Sequence, residues 1–167
     1  MRAALTAIVT FGGVGLVPVA PGTFGSAAAV LAAWLLHWLG SFPLLAAATL
    51  AVTLAGIPAI ARYEARAETG KDPGEVVIDE VAGQWIALLP LSWGLWAAGS
   101  AAHVFPWQGW LPAFLLFRLF DIWKPGPIGW ADRRGDAAGV MLDDVFAGVF
   151  AAILVTLMAG FAHGWFG

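Results

Sequence analysis

Apolar residues run along this chain in long uninterrupted blocks, and the charged positions fall between them. No Asp, Glu, Lys or Arg lies between Arg2 and Arg62, between Glu80 and Arg118, or after Asp144. Uncharged runs of that length read as membrane-spanning helices. The blocks predict helices at about 26–39, 43–61, 80–103, 110–123 and 142–163, preceded by a shorter apolar segment at about 3–11 that lies in the interface or re-enters. At about 1.5 Å per residue, Val145 to Ala162 spans roughly 27 Å, close to the thickness of a hydrocarbon core. The first and fourth helices are short by that measure: they are tilted, extended by their flanks, or do not fully cross. The expected fold is all-α, a single domain over 1–167 built as an integral membrane helical bundle of about five membrane-embedded helices.

Composition sharpens this picture. Of the 167 residues, 60% are hydrophobic and only 11% charged, about half the usual charged fraction. Eleven acids against eight bases leave a net charge of -3, so no basic field points to nucleic acid. With no cysteine, disulfides, zinc-thiolate sites and thiolate nucleophiles are excluded. Arg2, a short apolar core and small residues near Ala20 have the outline of a signal peptide, but glycines interrupt that core.

Orientation follows from the bases. Arg2, then Arg62, Arg66 and Lys71, then Lys124, Arg133 and Arg134 fall in the N-terminus and two linkers, while the segments near 40, 105–110 and the tail carry none. The positive-inside rule places the charged linkers in the cytoplasm, with five crossings from an inside N-terminus to an outside C-terminus. His37, His103 and His163 then fall at the outer helix ends, opposite the acids. There they read as interface residues beside Trp34, Trp38, Trp107, Trp110 and Trp165 in an aromatic belt, not as metal ligands.

Three groups of polar residues carry candidate chemistry. The first is the acids at helix ends: Asp79 and Glu80, Asp121, and Asp143 with Asp144. One acid at a helix start serves as a cap or a dipole partner; two in succession exceed that need. Neighbours on a helix point about 100° apart, so one acid of each pair can face the bundle interior while the other caps. Ionisable residues this close to hydrocarbon mark a site. A hard divalent cation, with Mg²⁺ expected, would neutralise such carboxylates. Gly83 and Gly148, each one turn beyond Asp79 and Asp144, would let the helices approach closely enough for the carboxylates to converge.

The second group is basic. In "FRLFDIWKP", Arg118 and Asp121 are three apart on one face, and Pro125 stops the helix after Lys124. An Arg–Asp pair at that spacing also serves as a plain ion pair. Arg118, however, lies in an apolar helix and must meet carboxylates or a phosphate. Arg133 and Arg134 follow in a loop, where they suit topology or headgroup contact as well as catalysis. The third group is "PVAPGTFGS" (18–26). There Gly22 and Gly25 bracket Thr23, Ser26 is a natural N-cap, and the helix start offers N–H groups to a phosphate. Acids for a cation and donors for a phosphate thus share one edge of an apolar bundle, which suits a phosphorylated amphiphile.

With these residues in hand, the chain resembles the phosphatidylglycerophosphatase A family along nearly its whole length, through "GVGLVPVAPGTFGS", "VIDEVAGQWIAL", "LFRLFDIWKPGPIGWADR" and "GVMLDDVFAG". The resemblance implies an α-helical protein of the bacterial cytoplasmic membrane that hydrolyses the terminal phosphate of phosphatidylglycerol phosphate with Mg²⁺, its site at the cytoplasmic face among membrane lipids. The family's motif residues fall on Pro21, Gly22, Thr23, Gly25 and Ser26; on Asp79, Glu80 and Gly83; on Arg118, Asp121, Lys124 and Pro125; and on Asp143 and Asp144. Gly126, where a bulkier residue is expected, departs from the pattern, and "RGDAA" (134–138) looks variable.

The expected roles are metal ligation by Asp79, Glu80, Asp143 and Asp144, with Asp121, Glu80 and Asp143 in catalysis. Phosphate binding is expected from Arg118, Lys124, Gly22, Thr23, Gly25, Ser26 and Arg133. In-line attack by water is expected, and a phospho-aspartyl intermediate remains an alternative. A CDP-alcohol phosphotransferase would need a longer array of aspartates. Lipid phosphatases that use a catalytic histidine would need one on the acidic face. A transporter would want its acids near mid-membrane. Small-residue faces such as "SAAAVLAA" permit a homo-oligomer and equally packing within one chain.

Overall fold

A computed structural model describes residues 2–66 and 73–164, and Lys71 and Trp165 lie outside them. All the regular structure is helical, with no strand among the described residues: α1 (Arg2–Val9), a 3₁₀ turn (Val14–Leu16), α2 (Pro21–Glu64), α3 (Ile78–Ala97), α4 (Trp107–Trp123), α5 (Pro127–Asp132) and α6 (Ala137–Ala162).

The 44 residues of α2 are not one rod. A straight helix of that length would extend roughly 66 Å, yet Gly22 near its start and Glu64 at its end line the same pocket. The reversal is at Gly40 (φ −155°, ψ 18°) and Ser41 (φ 53°, ψ −154°), both outside helical geometry. Two antiparallel rods result, close to the predicted helices at 26–39 and 43–61. Pro58 and Pro90 sit inside helices that continue past them. Pro43 follows the bend, where it cannot support the hydrogen bond of a preceding turn.

Three predicted boundaries are corrected by local hydrogen bonding. The first rod starts at Pro21, with Ala20 as its cap residue, so Ser26 is not a cap; its hydroxyl donates to the Gly22 carbonyl oxygen at 2.8 Å. The last helix starts at Ala137, capped by Asp136, whose carboxylate accepts from the Gly139 N–H at 2.7 Å. Asp143 and Asp144 therefore cap nothing and lie in the second turn, 6% and 3% exposed. The expected loop after Lys124 holds the short α5. Gly126 begins it with φ 54° and ψ −116°, a backbone that disfavours any bulkier residue.

Among the described residues, two helices are long and apolar enough to cross a membrane, α2 and α6. Much of the large apolar surface points outward, including Leu31, Leu50, Leu54, Ile122 and Phe161, each more than 60% exposed. Patches of that extent are rare on proteins surrounded by water.

At the end farthest from the acids, aromatic residues gather. Trp34 and Trp38 stack at 5.7 Å, and Phe42 meets Trp93 and Trp96 at 5.0 and 5.9 Å between centroids. His37 departs from its expected place in this belt. It is buried, with Nδ1 2.7 Å from Ser92 Oγ and its ring 5.5 Å from Phe105.

Candidate active site

The acids converge because two helices touch backbone to backbone. A methyl group built on Gly148 would collide with the backbone of Gly83, and one on Gly83 with the Asp144 carbonyl and the Phe117 ring. The contact lies one turn from Asp79 on α3 and from Asp144 on α6, and so brings those turns together. Asp79, Glu80 and Asp144 each offer a carboxylate oxygen within 4.8 Å of the others. The two acid pairs share a local device: the first aspartate accepts from the next residue's N–H, Asp79 from Glu80 and Asp143 from Asp144, each at 3.0 Å.

Asp143 stands apart from this triad. Its Oδ2 accepts from Lys124 Nζ at 2.6 Å, and Lys124 also pairs with Asp132. Burial works against the lysine's charge, but the hydrogen bonds and charges of Asp132 and Asp143 outweigh it and hold its pKa above the ordinary value. Lys124 is the C-cap of α4 in left-handed geometry, φ 51°, which costs strain in a non-glycine residue. Nearly two turns earlier, Arg118 Nη1 binds Asp121 Oδ2 at 2.5 Å and reaches Ser26 Oγ at 3.4 Å.

These groups line a cavity of about 440 Å³ that also takes in Gly22, Thr23, Glu64 and Asp132. The N-terminal end of α2, with its partial positive charge, thus meets the same space as Arg118 and Lys124, a combination suited to an anion. Of the predicted phosphate-binding residues, Gly25, Ser26 and Arg133 do not line the cavity. Gly25 is buried against Val77, where a side chain would not fit. Ser26 Oγ instead accepts from Arg118, and Arg133 is exposed.

Two residues were missed. Asp132, in "GWADR", is eight positions from Lys124 and meets it only because α5 turns back. Gln84, one turn beyond Glu80, is fully buried, and among the described residues neither amide atom has a partner.

The carboxylate triad fits a divalent cation. Glu80 Oε2 and Asp144 Oδ1 are buried, and no hydrogen-bond donor among the described residues reaches them. Three ionised carboxylates at such spacing repel by about 3 kcal/mol per pair at an effective dielectric of about 20. A hard cation with oxygen ligands would both satisfy those atoms and cancel that repulsion.

Fold and pocket together define a small helical protein with one acidic and basic cavity at the end of an otherwise apolar bundle. The chain belongs to the phosphatidylglycerophosphatase A family, whose model matches residues 7–159. It is similar to phosphatidylglycerophosphatase A of Escherichia coli, with 33% identity over 92% of this chain and 80% of that one. The protein of the same name from Haemophilus influenzae is 37% identical over 86% and 81% of the two chains. A putative phosphatidylinositol-3-phosphatase of Bacteroides thetaiotaomicron is 38% identical, covering 87% of each. No solved structure matches the chain.

Proposed function

We propose that the protein removes the terminal phosphate of phosphatidylglycerol phosphate at the cytoplasmic face of the bacterial inner membrane, giving phosphatidylglycerol and inorganic phosphate. The observation that carries this reading is the joining, in one cavity at the end of an apolar bundle, of the Asp79, Glu80 and Asp144 triad with Arg118 and Lys124. The names of two relatives support the headgroup. The outward apolar faces of α2, α4 and α6 support an embedded bundle of about five crossings, and the bases flanking it support a cytoplasmic site.

Asp79, Glu80 and Asp144 would hold Mg²⁺. Bound there, Mg²⁺ would supply charge neutralisation at the phosphate oxygens and a water of lowered pKa. Arg118 and Lys124 attract the phosphomonoester and offset charge that grows on its oxygens during transfer. Asp121, oriented by Arg118, accepts a proton from the attacking water. The bond from phosphorus to the glycerol oxygen breaks, and that oxygen takes up a proton. Asp143 keeps the Lys124 ammonium aimed into the cavity.

The test is phosphate release by purified protein in detergent from phosphatidylglycerol phosphate and, separately, phosphatidylinositol 3-phosphate, with Mg²⁺ and with chelator. Release from the first, dependent on Mg²⁺, is expected. Preference for the inositol lipid, as the name of the Bacteroides relative suggests, would overturn the headgroup. Equal release under chelation would overturn the metal.

A further inference from the structure

A second cavity, also of about 440 Å³, opens farther along the same pair of helices and is lined almost wholly by apolar side chains. On α2, Thr23 lines the polar cavity while Ala27, Leu31 and Trp34 line the apolar one. These positions are three or four apart and so share one face of the helix. On α4, Ile122 and Arg118 belong to the polar cavity, and Phe114 and Leu111 to the apolar one. That is the same spacing, running the opposite way. The two cavities are successive parts of one seam, and the boundary between them is the contact of Arg118 with Ser26.

We infer that this groove between the first rod of α2 and α4 receives an acyl chain of the substrate lipid, an inference that rests on the lipid phosphatase reading above. The chemistry of the ligand requires an apolar path to begin where the polar cavity ends. A phosphate held at Arg118 is joined through glycerol to its acyl ester, so the chain must leave close to Ser26 and Ala27. The groove starts at that point and runs about 12 Å to Trp34. There the indole N–H donates to the His103 carbonyl oxygen at 3.2 Å and closes the far end. Surrounding lipid is as apolar as the groove, so the groove adds little affinity. What it adds is position: a chain lying in the seam orients the phosphomonoester toward Asp121 and the carboxylate triad.

The test compares wild type with Ala27→Trp, which fills the groove from an exposed position. Two substrates share the headgroup and differ in the chains: dipalmitoyl and dihexanoyl phosphatidylglycerol phosphate, at equal mole fraction in one detergent. The ratio of kcat/KM for the long-chain over the short-chain lipid is expected to fall about tenfold. Leu35→Trp, outside the groove, should leave the ratio unchanged. An unchanged ratio in Ala27→Trp, with wild type active on both lipids, overturns the groove. Inactivity of wild type on both overturns the phosphatase reading and the groove with it. Should Ala27→Trp lose both activities, wild type decides: a dipalmitoyl substrate with a photoreactive diazirine at the middle of one acyl chain should label Leu31, Trp34 or Leu111. Labelling spread evenly over Leu50, Leu54 and Ile153 would overturn the inference.

Discussion

The two ends of the bundle bury polar groups in opposite ways. At the far end His37 and Ser92 are both buried and satisfy each other at 2.7 Å, with the Phe105 ring beside the imidazole. At the near end Glu80, Asp144 and Arg118 each bury an atom that no described residue satisfies. A buried polar group without a partner costs about 1–3 kcal/mol, and more if charged. Among the described residues the far end leaves no buried side-chain polar atom without a partner. The near end retains that cost in the protein alone, as a site does when its missing partners are a cation and a phosphate.

Substitutions at the two ends should therefore separate. The largest effect is expected from Glu80→Gln or Asp144→Asn. Each keeps shape but removes a ligand charge, and phosphate release should fall by about 10²-fold or more while the helical circular dichroism is retained. Next is Gly148→Ala, whose methyl group meets the backbone of Gly83. It should destabilise the protein by about 1–3 kcal/mol and lower activity about tenfold by parting the carboxylates, measured by thermal unfolding in detergent and by the same assay. Unchanged stability and activity would show that the helix contact does not set the site.

Lys124→Met comes third. It leaves Asp143 buried without its partner. Because the pair is about one-third open to solvent at the lysine, the expected loss is about 1–2 kcal/mol, below that of a fully buried pair. The folded-state pKa of Lys124 lies above its unfolded value. The lysine itself therefore keeps its charge across neutral pH. Burial raises the Asp143 carboxyl to about 6 even with Lys124 beside it, and without the lysine it stands higher still. The loss in Lys124→Met should therefore be smaller at about pH 6, where the stranded carboxyl takes up a proton, than at about pH 8, and an equal loss at both would contradict the pairing. The smallest effect on activity belongs to the far end. Ser92→Ala should cost about 1 kcal/mol of stability and leave phosphate release unchanged; a large loss of activity would erase the contrast between the ends.

Much of this was legible in the sequence, for physical reasons that also mark where it stopped. The bend at Gly40 and Ser41 shows as a polar interruption between apolar runs. The convergence of Asp79 and Asp144 follows from glycines one turn away. The helix starts did not follow. Apolar runs locate where a helix is buried, whereas its first residue depends on which side chain caps it. Asp136 takes that role for α6, and Ala20 begins α2 with no side-chain hydrogen bond at all. Asp132 was hidden because its link to Lys124 depends on the direction of α5, and His37 because an aromatic belt and a buried pair look alike along a helix.

Most direct is manganese binding, followed by electron paramagnetic resonance, in wild type and in Asp79→Asn/Glu80→Gln/Asp144→Asn, with Mg²⁺ as competitor. Wild type should bind Mn²⁺ and release it to Mg²⁺, and the folded triple variant should bind none. Equal binding by the variant, or no binding by a wild type that still releases phosphate, would contradict a cation held by these three carboxylates.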